Sequence, residues 1–375
     1  MKWKISLSLI AIVCISGCSE GTEEVQKNGA EQISLGDKLY HDKSLSQNRS
    51  MACATCHEVG NAMIDPRETS MTLGAALGDD GTSIGDRSAP TAAYAAFAPK
   101  FHFDHDEGLF IGGQFLDGRA QDLKDQAKGP FLNPVEMNMP NEASVIERVR
   151  ENPEYVTAFK RIYGEGIFND TQKAYDALAE TVAKFEKSSV FSPFDSKFDK
   201  AMKGDAVFSD AEKRGFDLFN GKAQCHLCHP ADAPKALLTD YSYDNIGVPV
   251  NHALRNANGL GDTLADNGLY GNPAVNDETL KGAFKVSTLR NIAVTGPYMH
   301  NGLFKDLKTV IHFYNTRDVK GAINPETDAV WEKGEVEVNK NRAELGDLGL
   351  SDEEENDLLA FLKTLTDERY EYLIP

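Results

Sequence analysis

The chain is short of positive charge: over its 375 residues, 39 Lys and Arg stand against 58 Asp and Glu, a formal charge of −19. That balance argues against a nucleic-acid binder, because nothing offsets phosphate repulsion. Long apolar runs are lacking as well. The one extended stretch, Ile5 to Ile15, is too short to span a bilayer as a helix. Strand-like alternation is scarce, while the loops at 73–87 and 257–277 are long and rich in Gly and Asp, so the expected fold is mainly α with extended loops.

What is present begins with an address. Lys2 and Lys4 precede the apolar stretch and Ile15-Ser16-Gly17-Cys18 closes it, which is the pattern of a signal peptide. The small residues before Cys18 resemble a bacterial lipobox, implying removal of residues 1–17 and a lipid on Cys18; the plainer alternative is a signal cleaved nearby. Polar residues 18–32 then read as a tether. The expected location is the periplasm, with attachment to the outer membrane through lipid alone.

Export to an oxidising compartment makes every Cys matter. Of the six, Cys14 leaves with the signal and Cys18 takes lipid. The other four form two like words, Cys53-Ala-Thr-Cys56-His57 and Cys225-His-Leu-Cys228-His229, and no disulfide is left to propose. C-x-x-C-H is the covalent attachment site of c-type haem: the thiols take the vinyl groups and the His supplies an axial nitrogen. Zinc wants its Cys pairs in one four-ligand cage, and a thioredoxin-like pair has no use for the His. Two covalently bound haem c groups are therefore expected.

Each word follows a similar approach, Gly36-Asp-Lys-Leu39-Tyr40 and Gly215-Phe-Asp-Leu218-Phe219. This echo suggests two cytochrome-c-like haem domains, an N-terminal one at 33–205 and a C-terminal one at 206–375. Between the words, Ala174, Leu178, Val182 and Phe185 share a helical face behind a cap at Asn169 and Gln172. Ser209-x-x-Glu212 and Ser351-x-x-Glu354 open two more helices.

Beyond the haem words stand Phe115-Leu-Asp-Gly-Arg119, Leu123-x-x-Gln126-Ala127, Gly129-Pro130, Asn133-Pro-Val-Glu136-Met137, Tyr243-Asp-Asn-Ile-Gly-Val-Pro249, Phe284-Lys-Val-Ser-Thr-Leu-Arg290-Asn291 and Thr295-Gly-Pro-Tyr-Met-His300-Asn-Gly302. With these motifs the chain resembles the bacterial di-haem cytochrome c peroxidase and MauG family over roughly 33–370. The resemblance implies that H2O2 binds at the N-terminal haem, on His57, and that the C-terminal haem on His229 passes electrons. It further implies that Glu136 moves the peroxide proton, that Gln126 orients the peroxide and that Pro130 limits what fits. Read alone, Glu136 is equally a helix cap or a surface ion-pair partner.

Three departures from the family pattern are informative. Peroxidase members supply a Met as the second ligand of the C-terminal haem, but that place here is Tyr314, as in MauG-like members, and a phenolate favours ferric iron. Tyr314 also continues the Leu307, Val310, Ile311 face of a core helix, and Met299, His300 and His312 are alternative ligands. The family's loop His is absent from Gly81–Arg87, so the peroxide site is expected to stand open when both haems are oxidised; His102 and His105 are the nearest in sequence and, beside acidic residues, read as solvated. Leu116 replaces the family's inter-haem Trp, and Trp331 is the mature chain's only one. The family also places Ca2+ between its domains, matched here by Thr295 and Pro297, with Ser88 where an Asn is usual.

The expected function is a di-haem peroxidase taking electrons from a small periplasmic cytochrome c or a cupredoxin. Acidic charge favours a basic donor. A MauG-like enzyme oxidising residues of a protein substrate is the first alternative, and a non-enzymatic di-haem electron carrier the second. The resemblance also implies a head-to-head homodimer.

Overall fold

A computed structural model describes residues 20–67, 73–261 and 263–375. The signal segment and Cys18 lie outside the described residues. Eleven α-helices are described: α1 (Glu20–Tyr40), α2 (Cys53–Cys56), α3 (Leu123–Leu132), α4 (Glu142–Arg150), α5 (Pro153–Tyr163), α6 (Thr171–Glu186), α7 (Lys197–Lys203), α8 (Asp210–Phe219), α9 (His252–Ala257), α10 (Leu307–Thr316) and α11 (Asp352–Lys363). Among the described residues, sheet beyond isolated bridges is limited to three two-stranded antiparallel pairs, β1 (His102–Asp104) with β2 (Leu109–Ile111), β3 (Tyr243–Asp244) with β4 (Phe284–Lys285), and β5 (Ile323–Asn324) with β6 (Ala329–Val330). Among the described residues no helix is long and apolar enough to cross a membrane.

Most helix starts follow from local chemistry. Ser209 and Ser351 accept from the backbone N–H of Glu212 and Glu354, whose carboxylates reach back, closing capping boxes at α8 and α11. At α6 the cap is Asp170, accepting from Lys173 N, rather than Asn169. Asp170 takes the extended backbone an N-cap needs, whereas Asn169 is held in the preceding turn by its N–H bond to Gly166 O. Residues 20–32, expected as a polar tether, are helical and belong to α1. Their Glu, Gln, Lys and Ala content is that of good helix formers.

Two large hydrophobic cores result, one drawn from residues 35–191 and one from 198–365, and a small third cluster joins Phe101 to Leu269, Val275 and Ala283. The echoed approach words explain how each is built. A Cβ on Gly36 of α1 would lie 2.4 Å from Thr181 O of α6, and one on Gly215 of α8 would lie 2.0 Å from Asp357 O of α11. In each half, then, the helix ahead of the haem word crosses the last helix of that half at a glycine, because only a missing side chain permits the approach. Tyr40 and Phe219, one turn on, are buried against these crossings.

The halves are stitched by buried polar groups. Within the second core Arg290 and Asp199, both fully buried, pair at 2.5 Å, and the guanidinium reaches the first core by facing the ring of Tyr94, besides those of Phe194 and Phe198. Losing one partner of such a pair strands a charge at a cost of about 3–5 kcal/mol. Asp367 accepts from Tyr94 Oη at 2.5 Å and from Asn291 Nδ2 at 2.8 Å, and Tyr370 Oη donates to Val59 O at 2.8 Å. The C-terminal segment thereby reaches back to the loop after the first haem word.

Candidate haem centres

Each C-x-x-C-H word ends in a histidine fixed from behind. His57 Nδ1 stands 3.2 Å from Met63 O and His229 Nδ1 2.7 Å from Leu238 O. A ring that donates Nδ1–H to a carbonyl presents the Nε2 lone pair, which is the form that binds iron. Burial pushes both imidazoles below their ordinary pKa and keeps them neutral. Cys53, Cys56, Cys225 and Cys228 are free thiols, all raised by burial. Two free thiols beside a neutral, oriented imidazole fit a covalently held haem at both words.

Beside the second word opens a cavity of about 370 Å³, lined by Cys225, Cys228, His229 and Tyr314 among mostly apolar side chains. Its size suits an enclosed organic cofactor. Tyr314 projects from α10, and its phenol is pushed up by burial first, then by Cys228, Cys225 and Asp244, with Arg317 opposing. Its hydroxyl has no hydrogen-bond partner among the described residues. Met299 and His300 line the same cavity, whereas His312 does not: its Nδ1 pairs with Glu355 Oε1 at 2.8 Å. Thr295, Pro297, Phe115 and Leu116 also lie on the wall.

The first word faces the end of α3. Gln126 and Pro130 sit four residues apart on that helix and share a face. The turn that follows folds back, Met137 N–H donating to Pro130 O at 3.1 Å and Met139 N–H to Phe131 O at 2.8 Å, and so carries Glu136 under the helix end. Asn133 Nδ2 donates to Glu136 Oε1 at 2.9 Å. Burial raises the Glu136 carboxyl, Asn133 and Arg119 lower it, and Asp86 raises it. Glu136 in turn raises the thiols of Cys53 and Cys56, which places it within electrostatic reach of the word. Arg119 lies over the Phe115 ring at 3.7 Å. His102 and His105 are exposed on and beside the β1–β2 hairpin.

Sequence reasoning missed several groups around the first word. Arg67 donates to Cys56 Sγ at 3.2 Å, to Leu77 O at 3.0 Å and to Asp65. Asp79, buried, accepts from Ser46 Oγ at 2.7 Å and Ser50 Oγ at 2.5 Å, while its own N–H donates to Glu136 O at 2.8 Å. It ties the loop before Cys53 to the Glu136 turn. Asn133 lay within a quoted motif, but its hold on the carboxylate is visible only once the turn closes.

Glu186, at the end of α6, is 7% exposed, and its Oε2 has no hydrogen-bond partner among the described residues. Burial pushes its carboxyl up to about 8, and it raises the nearby Cys53 and Tyr40. A carboxyl whose pKa is higher folded than unfolded favours the fold while protonated, so its contribution is lost as pH rises from the ordinary glutamate value to about 8. Glu186→Gln is expected to leave stability unchanged near pH 4 and to raise it at pH 8. Denaturant midpoints of holoprotein across that range test this, and equal pH slopes in both proteins would refute it.

Comparison with known proteins bears on the family and the fold. A family model described as di-haem cytochrome c peroxidase matches residues 30–207. The chain is 45% identical to the methylamine utilization protein MauG of Paracoccus denitrificans, over 99% of this chain and 97% of that one. It is 29% identical to cytochrome c551 peroxidase of Nitrosomonas europaea, over 99% and 92%. Among solved structures, the diheme peroxidase BthA of Burkholderia thailandensis superposes with a TM-score of 0.80 at 28% identity, over 92% of this chain and 88% of that one. A MauG-like protein associated with microbial copper homeostasis superposes at 0.68 and 28%, over 92% and 91%. With both haem words, a mainly helical two-core fold and near full-length similarity to MauG, this chain belongs to the di-haem cytochrome c peroxidase and MauG family, oxidoreductases with two c-type haems.

Proposed function

We propose that this enzyme takes oxidising equivalents from H2O2 at the His57 centre, reducing peroxide to water with electrons relayed through the His229 centre. The observation that carries this is Glu136: a half-buried carboxyl beside the first haem word, hydrogen-bonded at one oxygen by Asn133. A haem held by Cys53, Cys56 and His57 would supply the iron and the electrons that O–O cleavage needs. Glu136 takes the proton from the oxygen that binds and returns it to the oxygen that leaves, which makes water the leaving group instead of hydroxide. Gln126 holds the peroxide by hydrogen bonding, and Pro130, which has no N–H to offer, narrows the space beside it. Overall, H2O2, two protons and two electrons give two waters.

A specific observation favours MauG-like chemistry as a second reading, in which the equivalents are spent on residues of a partner protein. Tyr314 lines the cavity of the second word, and its hydroxyl makes no hydrogen bond among the described residues. We read Tyr314 as the second ligand of the C-terminal haem. We read each core as one haem module, the second beginning at Phe198, a few residues ahead of the boundary expected near 206, and Thr295 and Pro297 as the residues that would help hold a Ca2+. The N-terminal sequence supports a periplasmic protein held by lipid on Cys18, and the charge of −19 suits a basic electron donor.

Stopped-flow absorption of the fully ferric protein mixed with stoichiometric H2O2 tests both readings. An immediate spectral change without reductant is expected, because Gly81–Arg87 holds no His to close the first centre. A response only after one haem is reduced would overturn the open-site reading and favour a reductively activated peroxidase.

A further inference from the structure

The cavity of the second haem word has a single cationic side chain on its wall: among the residues lining it, Lys285 is the only Lys or Arg. Lys285 lies on β4 and is tied twice to the 113–117 loop of the N-terminal half, its backbone N–H donating to Leu116 O at 2.8 Å and its Nζ to Gly113 O at 2.7 Å. The other Nζ–H groups have no acceptor among the described residues. Among the described residues no carboxylate forms an ion pair with it. Asp117, the acid that supports its charge, is held at 2.7 Å by both Arg87 and Arg119, and Asp266 is held at 2.7 Å by Arg87. Three cations thus stand against two carboxylates in this cluster, and burial pushes the Lys285 ammonium down to about 8. A desolvated ammonium with spare donors is costly unless an anion meets it.

Asp244 and Glu344 also line the cavity and raise the Cys228 thiol, and neither forms an ion pair with Lys285. Haem carries its two carboxylates on the edge opposite the vinyl-derived thioethers. A cofactor bonded to Cys225 and Cys228 therefore needs a cation for those carboxylates, and the lining offers one Lys.

We propose that Lys285 anchors the C-terminal haem, its ammonium bridging Gly113 O and a haem propionate. The bridge binds that propionate to the loop that carries Phe115 and Leu116, which line the same cavity. A Cβ on Gly129 of α3 would meet Phe115 Cζ at 3.2 Å, so the same loop packs on the helix of Gln126 and Pro130. Lys285 is then the residue that fixes one cofactor relative to the other centre. The inference rests only on haem at Cys225, Cys228 and His229, and does not depend on the roles given to Glu136 or Tyr314.

Spectroelectrochemical titration of the holoenzyme tests it, with two haems per chain confirmed by pyridine haemochrome. Without its cation the propionate charge stabilises ferric haem. Lys285→Met is therefore expected to shift the oxidised-to-reduced ratio of the C-terminal haem about tenfold toward oxidised at fixed potential, equivalent to ~59 mV for one electron. Lys285→Arg keeps the charge and is expected to stay within about threefold of wild type. If the Met variant matures with one haem, the reading passes to Lys285→Arg, whose resonance Raman propionate-bending band is expected to move with the new hydrogen bond. A tie to Gly113 alone would lower the thermal midpoint of the Met variant without moving potential or band, and that result would overturn the proposal.

Discussion

Glu136→Gln is expected to slow the peroxide-induced spectral change by about 10²- to 10⁴-fold while both haems stay attached, the range assigned to a positioned proton carrier. The substitution is nearly isosteric, and the amide oxygen can still accept from Asn133 Nδ2, now 2.9 Å from Glu136 Oε1. What disappears is the base. In the wild type only the carboxylate form can take the peroxide proton, and burial raises the Glu136 pKa above the ordinary glutamate value. The rate is therefore expected to rise with pH through an inflection above 4.5, with the protonated, inactive form dominating below it. In the Gln variant that inflection should vanish. A Gln variant that reacts within about threefold of wild type, with the inflection retained, would remove Glu136 from the proton path and leave Asn133 as a mere turn former.

How much of this was legible in sequence depends on the range of the interactions. The haem words are contiguous, so residue type and spacing alone carry the chemistry. The capping boxes at Ser209 and Ser351 are equally local, and both form. Even the weak echo of Gly36 and Gly215 had a physical cause, since both glycines stand where two helices cross closely. Long-range partnerships were not legible. Lys285 reads as an ordinary motif residue until the fold brings Gly113 to its ammonium, and Glu186 reads as the polar end of an amphipathic helix until the first core closes over it. Adjacent candidates also defeat a local reading: Asn169 and Asp170 are both good caps, and the preceding turn decides between them. His312 was one of four candidate ligands by sequence. Its pairing with Glu355 turns it from the cavity, which only the packing of α10 on α11 reveals.

Tyr314→Met is expected to raise the potential of the C-terminal haem by on the order of 0.1 V or more and to abolish the peroxide response of the fully ferric protein. The phenol's surroundings decide its protonation. Burial and the Cys225 and Cys228 thiols hold its proton on, so in the bare protein the phenolate is disfavoured. A metal cation reverses that logic, since it becomes the largest local charge and displaces the proton outright. Arg317, the one charge that favours the phenolate, lies one turn along α10 and adds to the effect. A phenolate stabilises ferric over ferrous iron, whereas a thioether does the reverse, so the exchange moves the potential upward. Stored electrons then sit too low in energy for oxidising equivalents to be shared with the second centre before reduction. Tyr314→Phe separates ligation from packing, because it keeps the ring on the Val310 and Ile311 face and removes only the oxygen. If Tyr314 merely packs, the Phe variant keeps the wild-type spectrum and potential. In that case the ligand is sought at Met299 or His300, which line the same cavity, and Met299→Leu would show the shift instead.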